Sequence, residues 1–183
     1  MVLMAGTAVQ PGDRMSVEDW LALEPPDEWY RVELVDGVIV MTSAARDVHG
    51  VAVARLAAAL LAVRPADAEV VVAPGVVLPD SGLIPDLAVK RHRDLGDLTA
   101  SPTLVIEVLS RSTRGIDLGA KRRLYAQHGI GSYWLVDLDV PSVTILELGV
   151  TGAYVHVASA HPGAPVSMQD PFPMTVDVDA LLA

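Results

Sequence analysis

Residues 104–109 read Leu-Val-Ile-Glu-Val-Leu, a six-residue aliphatic run with one carboxylate at its centre. Such a run is too short and too β-branched for a helix and suits a strand buried on both faces. A carboxylate inside it costs several kcal/mol if left ionised without a partner. The chain must therefore bring Glu107 a basic side chain, backbone donors, a raised pKa or a metal ion. A structural ion pair with an arginine is the plain alternative to chemistry.

A second acid has the same oddity. In Ile84-Pro85-Asp86-Leu87-Ala88-Val89, Asp86 follows a proline at the head of another apolar run expected as a strand over residues 84–89. Pro-Asp alone is turn punctuation. Two acids on two buried strands are different, because adjacent strands would place both within reach of one hard cation. Mg²⁺ is commonly held by one or two carboxylates plus water.

The remaining pattern gives an α/β chain with a central mixed β-sheet flanked by helices, read as a single domain over its 183 residues. Ser16 and Asp19 form the start of a short helix that Pro25 and Pro26 stop. Residues 30–41 form a hairpin about Asp36-Gly37. Residues 46–63 form a long Val/Ala/Leu helix closed by Pro65. Further strands are expected at 70–72, 76–78, 133–137, 143–148 and 154–158. A helix over 117–128 should stop at Gly129, and a last helical turn should be capped by Asp177 or Asp179.

Composition excludes several chemistries. With no cysteine, disulfide frameworks, thiol nucleophiles and thiolate zinc sites are ruled out, and a reducing cytoplasm is expected. The apolar stretch around residues 51–63 is broken by Arg55 and too short to span a bilayer. The N-terminal residues lack the pattern of a signal peptide. Phosphate-binding glycine loops and the G-x-S-x-G elbow are absent. Net charge is −10, which opposes nucleic-acid affinity. Yet 8 of the 13 basic residues fall within residues 86–123: Lys90, Arg91, Arg93, Arg111, Arg114, Lys121, Arg122 and Arg123. They form either a solvated run or a local anion-binding surface.

IPDLAV followed about twenty residues later by LVIEVLS resembles the PD-(D/E)XK nuclease superfamily. YRVELVDGVIV, His49 in the next helix, SPTLVIEVLS, the D-x-x-x-K-x-x-x-Y string from Asp117 to Tyr125, and GIGSYWLVD resemble more closely the Uma-type family of restriction endonucleases, over about residues 30–154. The resemblance implies a restriction-endonuclease-like fold and Mg²⁺-dependent (or Mn²⁺-dependent) hydrolysis of phosphodiester bonds. Asp86 and Glu107 would be the metal ligands and Glu33 an upstream acid near the site. Where the superfamily has a lysine two residues after the glutamate, this chain has Leu109. The Uma-type pattern places its lysine on the following helix, which makes Lys121 the matching catalytic residue.

Other residues read two ways. Glu33 fits an exposed strand acid as well as a site acid. His49 fits a phosphate or metal contact as well as a structural histidine. Arg111 and Arg114 flank Ser110, Ser112 and Thr113, whose roles are capping and turns, and are placed to steer a phosphodiester. Tyr133 and Trp134 are expected at the rim of the sheet, and Arg122 and Arg123 in solvent. The other histidines, lacking ligand spacing, are surface or cap residues. The expected partners are nucleic acid, DNA in particular, and a second copy of the chain, since a double-strand cut takes two sites. The rival expectation is a non-catalytic binding or assembly module that keeps the fold.

Overall fold

The computed structural model describes residues 2–4, 7–24, 30–43 and 46–182. Pro25 and Pro26, expected to stop the first helix, lie outside the described residues. Among the described residues fourteen strands and five α-helical segments follow in chain order: β1 (Val2–Met4), β2 (Thr7–Val9), α1 (Val17–Leu21), β3 (Tyr30–Val35), β4 (Val38–Ser43), α2 (Asp47–Val63), β5 (Ala68–Val72), β6 (Val76–Leu78), β7 (Ser81–Leu83), β8 (Leu87–Arg91), β9 (Leu104–Val108), α3 (Arg114–Ile116), a π-helical turn (Asp117–Lys121), α4 (Arg122–Gln127), β10 (Ser132–Asp137), β11 (Ser142–Leu148), β12 (Tyr154–Ala160), β13 (Val166–Met168), β14 (Met174–Val176) and α5 (Val178–Leu182). None of the described helices is long and apolar enough to cross a membrane.

The local signals act where they stand. Asp36 and Gly37 have φ of 50° and 73°, the left-handed pair that a two-residue hairpin between β3 and β4 demands. Ser16 accepts from the Asp19 backbone N–H and caps α1. Gly129, with φ of 72°, ends the helix that began at Arg114, and Asp177 accepts from the Asp179 N–H to cap α5. The hairpin of β13 and β14 and the pairing of β1 with β2 had no counterpart in the sequence reading.

A six-stranded sheet runs in the order β12-β11-β10-β9-β8-β5, and a four-stranded sheet in the order β4-β3-β7-β6. Among the described strands only β9 and β10 pair in parallel; their crossover is the continuous helix from α3 through the π turn to α4. Every residue of β9 and β10 is buried, because the sheet is covered on both faces. Leu104, Ile106, Val108 and Trp134 belong to one core with Leu56 and Leu60 of α2. Val105, Tyr133 and Leu135 belong to the opposite core with Leu124 and Tyr125 of α4 and Leu83 of β7. Strand alternation puts Glu107 on this second face, beneath the crossover helix.

Two expectations change. The strand expected over residues 84–89 starts only at Leu87, as β8, and runs to Arg91, while β7, which the sequence did not suggest, ends at Leu83. Pro85 lacks a ladder donor, so residues 84–86 turn out between two sheets. Tyr133 and Trp134 do not lie at a rim; β10 is an interior strand and both are fully buried.

Candidate active site

Glu107 is 2% exposed, and its compensation comes from the crossover helix. Lys121 Nζ stands 3.0 Å from Glu107 Oε1, and the Tyr125 hydroxyl donates to the same oxygen at 3.0 Å. The ammonium also lies 2.9 Å from Glu33 Oε1 and 3.3 Å from Asp117 Oδ1. Asp117, Lys121 and Tyr125 all turn inward, the first two on the π turn, an irregularity that recurs at functional sites. Tyr133 OH donates to the Asp117 carbonyl at 3.0 Å within that turn, and its ring meets Tyr125 edge-on at 5.2 Å.

Three carboxylates thus face one ammonium. Burial pushes the Glu107 carboxyl well above its ordinary range; Lys121 opposes this, while Asp117, Asp86 and Glu33 add to it. Asp117 is raised for the same reason, by burial against Lys121. Burial works against the charge of Lys121, but Glu107, Glu33 and Asp117 outweigh it and hold the ammonium protonated. Tyr125 is raised by burial and by the Glu107 charge, so its hydroxyl remains a donor.

Asp86 leaves the end of β8 toward a different set. The Leu87–Ile106 pairing, extended by one residue, places Asp86 opposite Glu107. Its Oδ1 accepts from Arg31 Nη1 at 2.9 Å, and its Oδ2 accepts from the Val108 N–H at 2.7 Å and lies 3.2 Å from His49 Nε2. Burial opposes ionisation of Asp86, yet the His49 hydrogen bond, the Arg31 and His49 charges and the Val108 N–H together hold it below the usual carboxylate range. The two acids are therefore unlike: Asp86 is an assured anion, Glu107 a reluctant one.

A cavity of about 400 Å³ joins them, with Arg31, His49, Asp86, Glu107, Lys121 and Arg111 in its wall. Glu33 is 1% exposed, not the exposed strand acid its phase also allowed, and it accepts from the Ile84 N–H at 2.7 Å as well as from Lys121. Arg114 does not join the cavity wall; it is bound to Asp137 at 2.7 Å. The basic run does not form one surface either. Lys90 is buried and donates to the Asp97 carbonyl, and Arg122 is half-buried on the Tyr154 carbonyl rather than solvated. Arg123 is exposed and pairs with Asp36. Of that run only Arg111 and Lys121 face the cavity.

Arg31 is the residue the sequence reading missed. The available signal was its place two residues before Glu33, which puts both on one face of β3. The spacing of Asp117, Lys121 and Tyr125 puts them on one helix face, and its plain reading is an exposed Asp117–Lys121 pair with Tyr125 covering apolar surface. Instead the pair is buried and the Tyr125 hydroxyl is bonded to Glu107.

The donor set suits a hard divalent cation. Both hydrogen bonds to Glu107 end on Oε1, so Oε2 has no donor among the described residues. Asp86 and Glu107 line the same cavity, and two carboxylates with water completing the shell is an ordinary Mg²⁺ arrangement. No group of three or more His, Asp or Glu side chains suited to a metal occurs among the described residues, so water would supply most of the coordination.

Residues 17–180 match the model of the Uma2 family, described as "Putative restriction endonuclease". No curated protein matches the chain. Among solved structures, the chain is similar to one described as a "putative nuclease belonging to DUF820" from Anabaena variabilis ATCC 29413, with a TM-score of 0.75 and 16% identity over 92% of this chain and 97% of that one. At that identity the likeness speaks to the fold, a restriction-endonuclease-like arrangement of a central mixed sheet and flanking helices.

Proposed function

The chain belongs to the Uma2 restriction-endonuclease family, and on that premise we propose that it hydrolyses nucleic-acid phosphodiester bonds, with DNA as substrate and Mg²⁺ or Mn²⁺ as cofactor. The observation that carries the reading is the convergence of Asp86, Glu107 and Lys121 on one cavity from a turn, a strand and a helix that lie far apart in sequence.

In this reading Asp86 and Glu107 hold the cation. When bound, Mg²⁺ polarises a phosphate oxygen and lowers the pKa of an attacking water. Arg31, His49 and the Val108 N–H keep Asp86 ionised and fixed in direction. Tyr125 and Lys121 fix Glu107 through Oε1, and Oε2, which has no donor among the described residues, would be the atom left for a cation. Lys121 replaces, from the helix, the lysine absent at Leu109, and its charge opposes the negative charge that grows on the phosphate in the transition state.

The experiment is incubation of supercoiled plasmid, duplex and single-stranded oligonucleotides with purified protein and Mg²⁺ or Mn²⁺. Cleavage by wild type that disappears in Asp86→Ala and Glu107→Ala supports the reading. Intact substrates throughout would favour a second one, a non-catalytic module that keeps the fold. The net charge of −10 argues for that alternative, because nucleic-acid affinity rests largely on neutralising phosphates.

A further inference from the structure

We propose that Arg31 receives a substrate phosphate, so that one guanidinium both positions Asp86 and binds the nucleic acid. The inference rests on the nuclease reading above. Arg31 and Glu33 share a face of β3 and hold the two peptide groups that flank Ile84, one through its carbonyl and one through its N–H. Arg31 Nη1 donates to the Ile84 carbonyl at 2.9 Å and to Asp86 Oδ1 at 2.9 Å, while Glu33 Oε1 accepts from the Ile84 N–H at 2.7 Å. The stretch between β7 and β8 that delivers Asp86 is thus held by two side chains of a neighbouring sheet.

Both of these Arg31 bonds leave from Nη1, so Nε and Nη2 have no acceptor among the described residues. The side chain is 30% exposed and lines the cavity. A planar guanidinium with donors to spare matches phosphate oxygens in pairs. Because Arg31 is already fixed by two bonds, little rotamer freedom remains to be lost on binding.

The other cations near the cavity lack this combination; Arg46, also in its wall, is exposed and has no side-chain bond that holds it among the described residues. Lys121 is committed to three carboxylates and is 2% exposed. Arg114 is spent on Asp137. Arg111 lines the cavity but extends into solvent, 4.0 Å from Asp139. Arg31 alone among these is both held in place and still able to donate. It also sits beside Asp86, where an arriving phosphate needs positive charge against the carboxylate.

The test is fluorescence anisotropy with a labelled 12-nucleotide single-stranded oligodeoxynucleotide, in the Glu107→Gln background so that binding is read without cleavage. Arg31→Gln keeps a donor for Asp86 but removes the charge. It should weaken binding about tenfold and make the slope of log K against log salt shallower by about 0.7, one phosphate contact on a single strand. Arg31→Lys should restore the slope while recovering only part of the affinity. Unchanged affinity and slope in Arg31→Gln would overturn the proposal and leave Arg31 only a support for Asp86. Should both variants misfold, the Arg31 Nε–Hε resonance of the folded protein gives the answer: it shifts on saturation with the oligonucleotide, or its constancy overturns the proposal. Wild-type cleavage is scored separately with Mg²⁺. If wild type cleaves but Arg31→Gln binds normally, only this inference falls. If wild type cleaves nothing while Arg31→Gln still loses binding, the nuclease reading fails and the phosphate site stands. Absence of oligonucleotide binding by the parent overturns the site.

Discussion

Lys121 Nζ stands 3.0 Å from Glu107 Oε1 across fourteen positions of sequence, whereas Leu109, two residues beyond Glu107, lines the same cavity with an apolar side chain packed against the core beneath the crossover helix. The positive charge absent from the strand is supplied from the crossover helix. That exchange is sterically natural: Glu107 lies on the sheet face that this helix covers, and the π turn directs Lys121 into it.

Removing Lys121 would strand Glu107, Glu33 and Asp117 together in the interior. Lys121→Met is expected to lose about 3–5 kcal/mol of folding stability, the usual result of deleting one partner of a buried charge set. Urea unfolding at neutral pH measures it. A loss below about 1 kcal/mol would mean that the three carboxyls carry little charge in the folded protein.

The raised carboxyl of Glu107 makes a signed pH prediction. A group whose folded pKa lies above its unfolded value favours folding at low pH and loses that contribution as pH rises through the folded pKa. Glu107→Gln removes the titration, keeps an acceptor for Tyr125 and leaves Lys121 paired with Glu33 and Asp117. The melting temperature of Glu107→Gln relative to wild type should therefore rise as pH climbs above the ordinary glutamate range. A difference independent of pH would refute the assignment.

Asp86 behaves in the opposite sense. Its depressed carboxyl contributes stability above the ordinary aspartate range that is lost as pH falls through the folded value. Asp86→Asn should be destabilised at neutral pH and should approach wild type in acid, read by thermal melts down to about pH 3, below the ordinary aspartate pKa.

Calorimetric titration with Mn²⁺ separates chemistry from scaffold. Wild type is expected to give a binding heat that Asp86→Ala and Glu107→Ala both abolish. A heat that survives either change places the cation elsewhere.

The second-copy expectation is checked by light scattering. Val48, Val51, Leu61 and Val63 of α2 are exposed, and a homodimer that buries them should have twice the 19.3 kDa chain mass at micromolar concentration. A monomeric mass removes the homodimer from the proposal.

What the sequence determined by itself is local. The Asp36-Gly37 turn, the Ser16 cap, the helix stop at Gly129 and the doubly buried strand around Glu107 each follow from rules that act over a few residues, such as positive φ, capping donors and alternation. The sequence also demanded that Glu107 be compensated, since desolvation of a carboxylate is costly wherever the strand lies. Which groups answer that demand was a tertiary decision. Arg31 and Asp86 are 55 positions apart and Glu33 and Ile84 are 51 apart, and no local period relates them. The late start of β8 after Pro85, the burial of Glu33, the pairing of Arg114 with Asp137 and the interior placement of Trp134 likewise depended on which strands met. Sheet order sets which side chains are shut away from water, and burial then decides which charges must find each other.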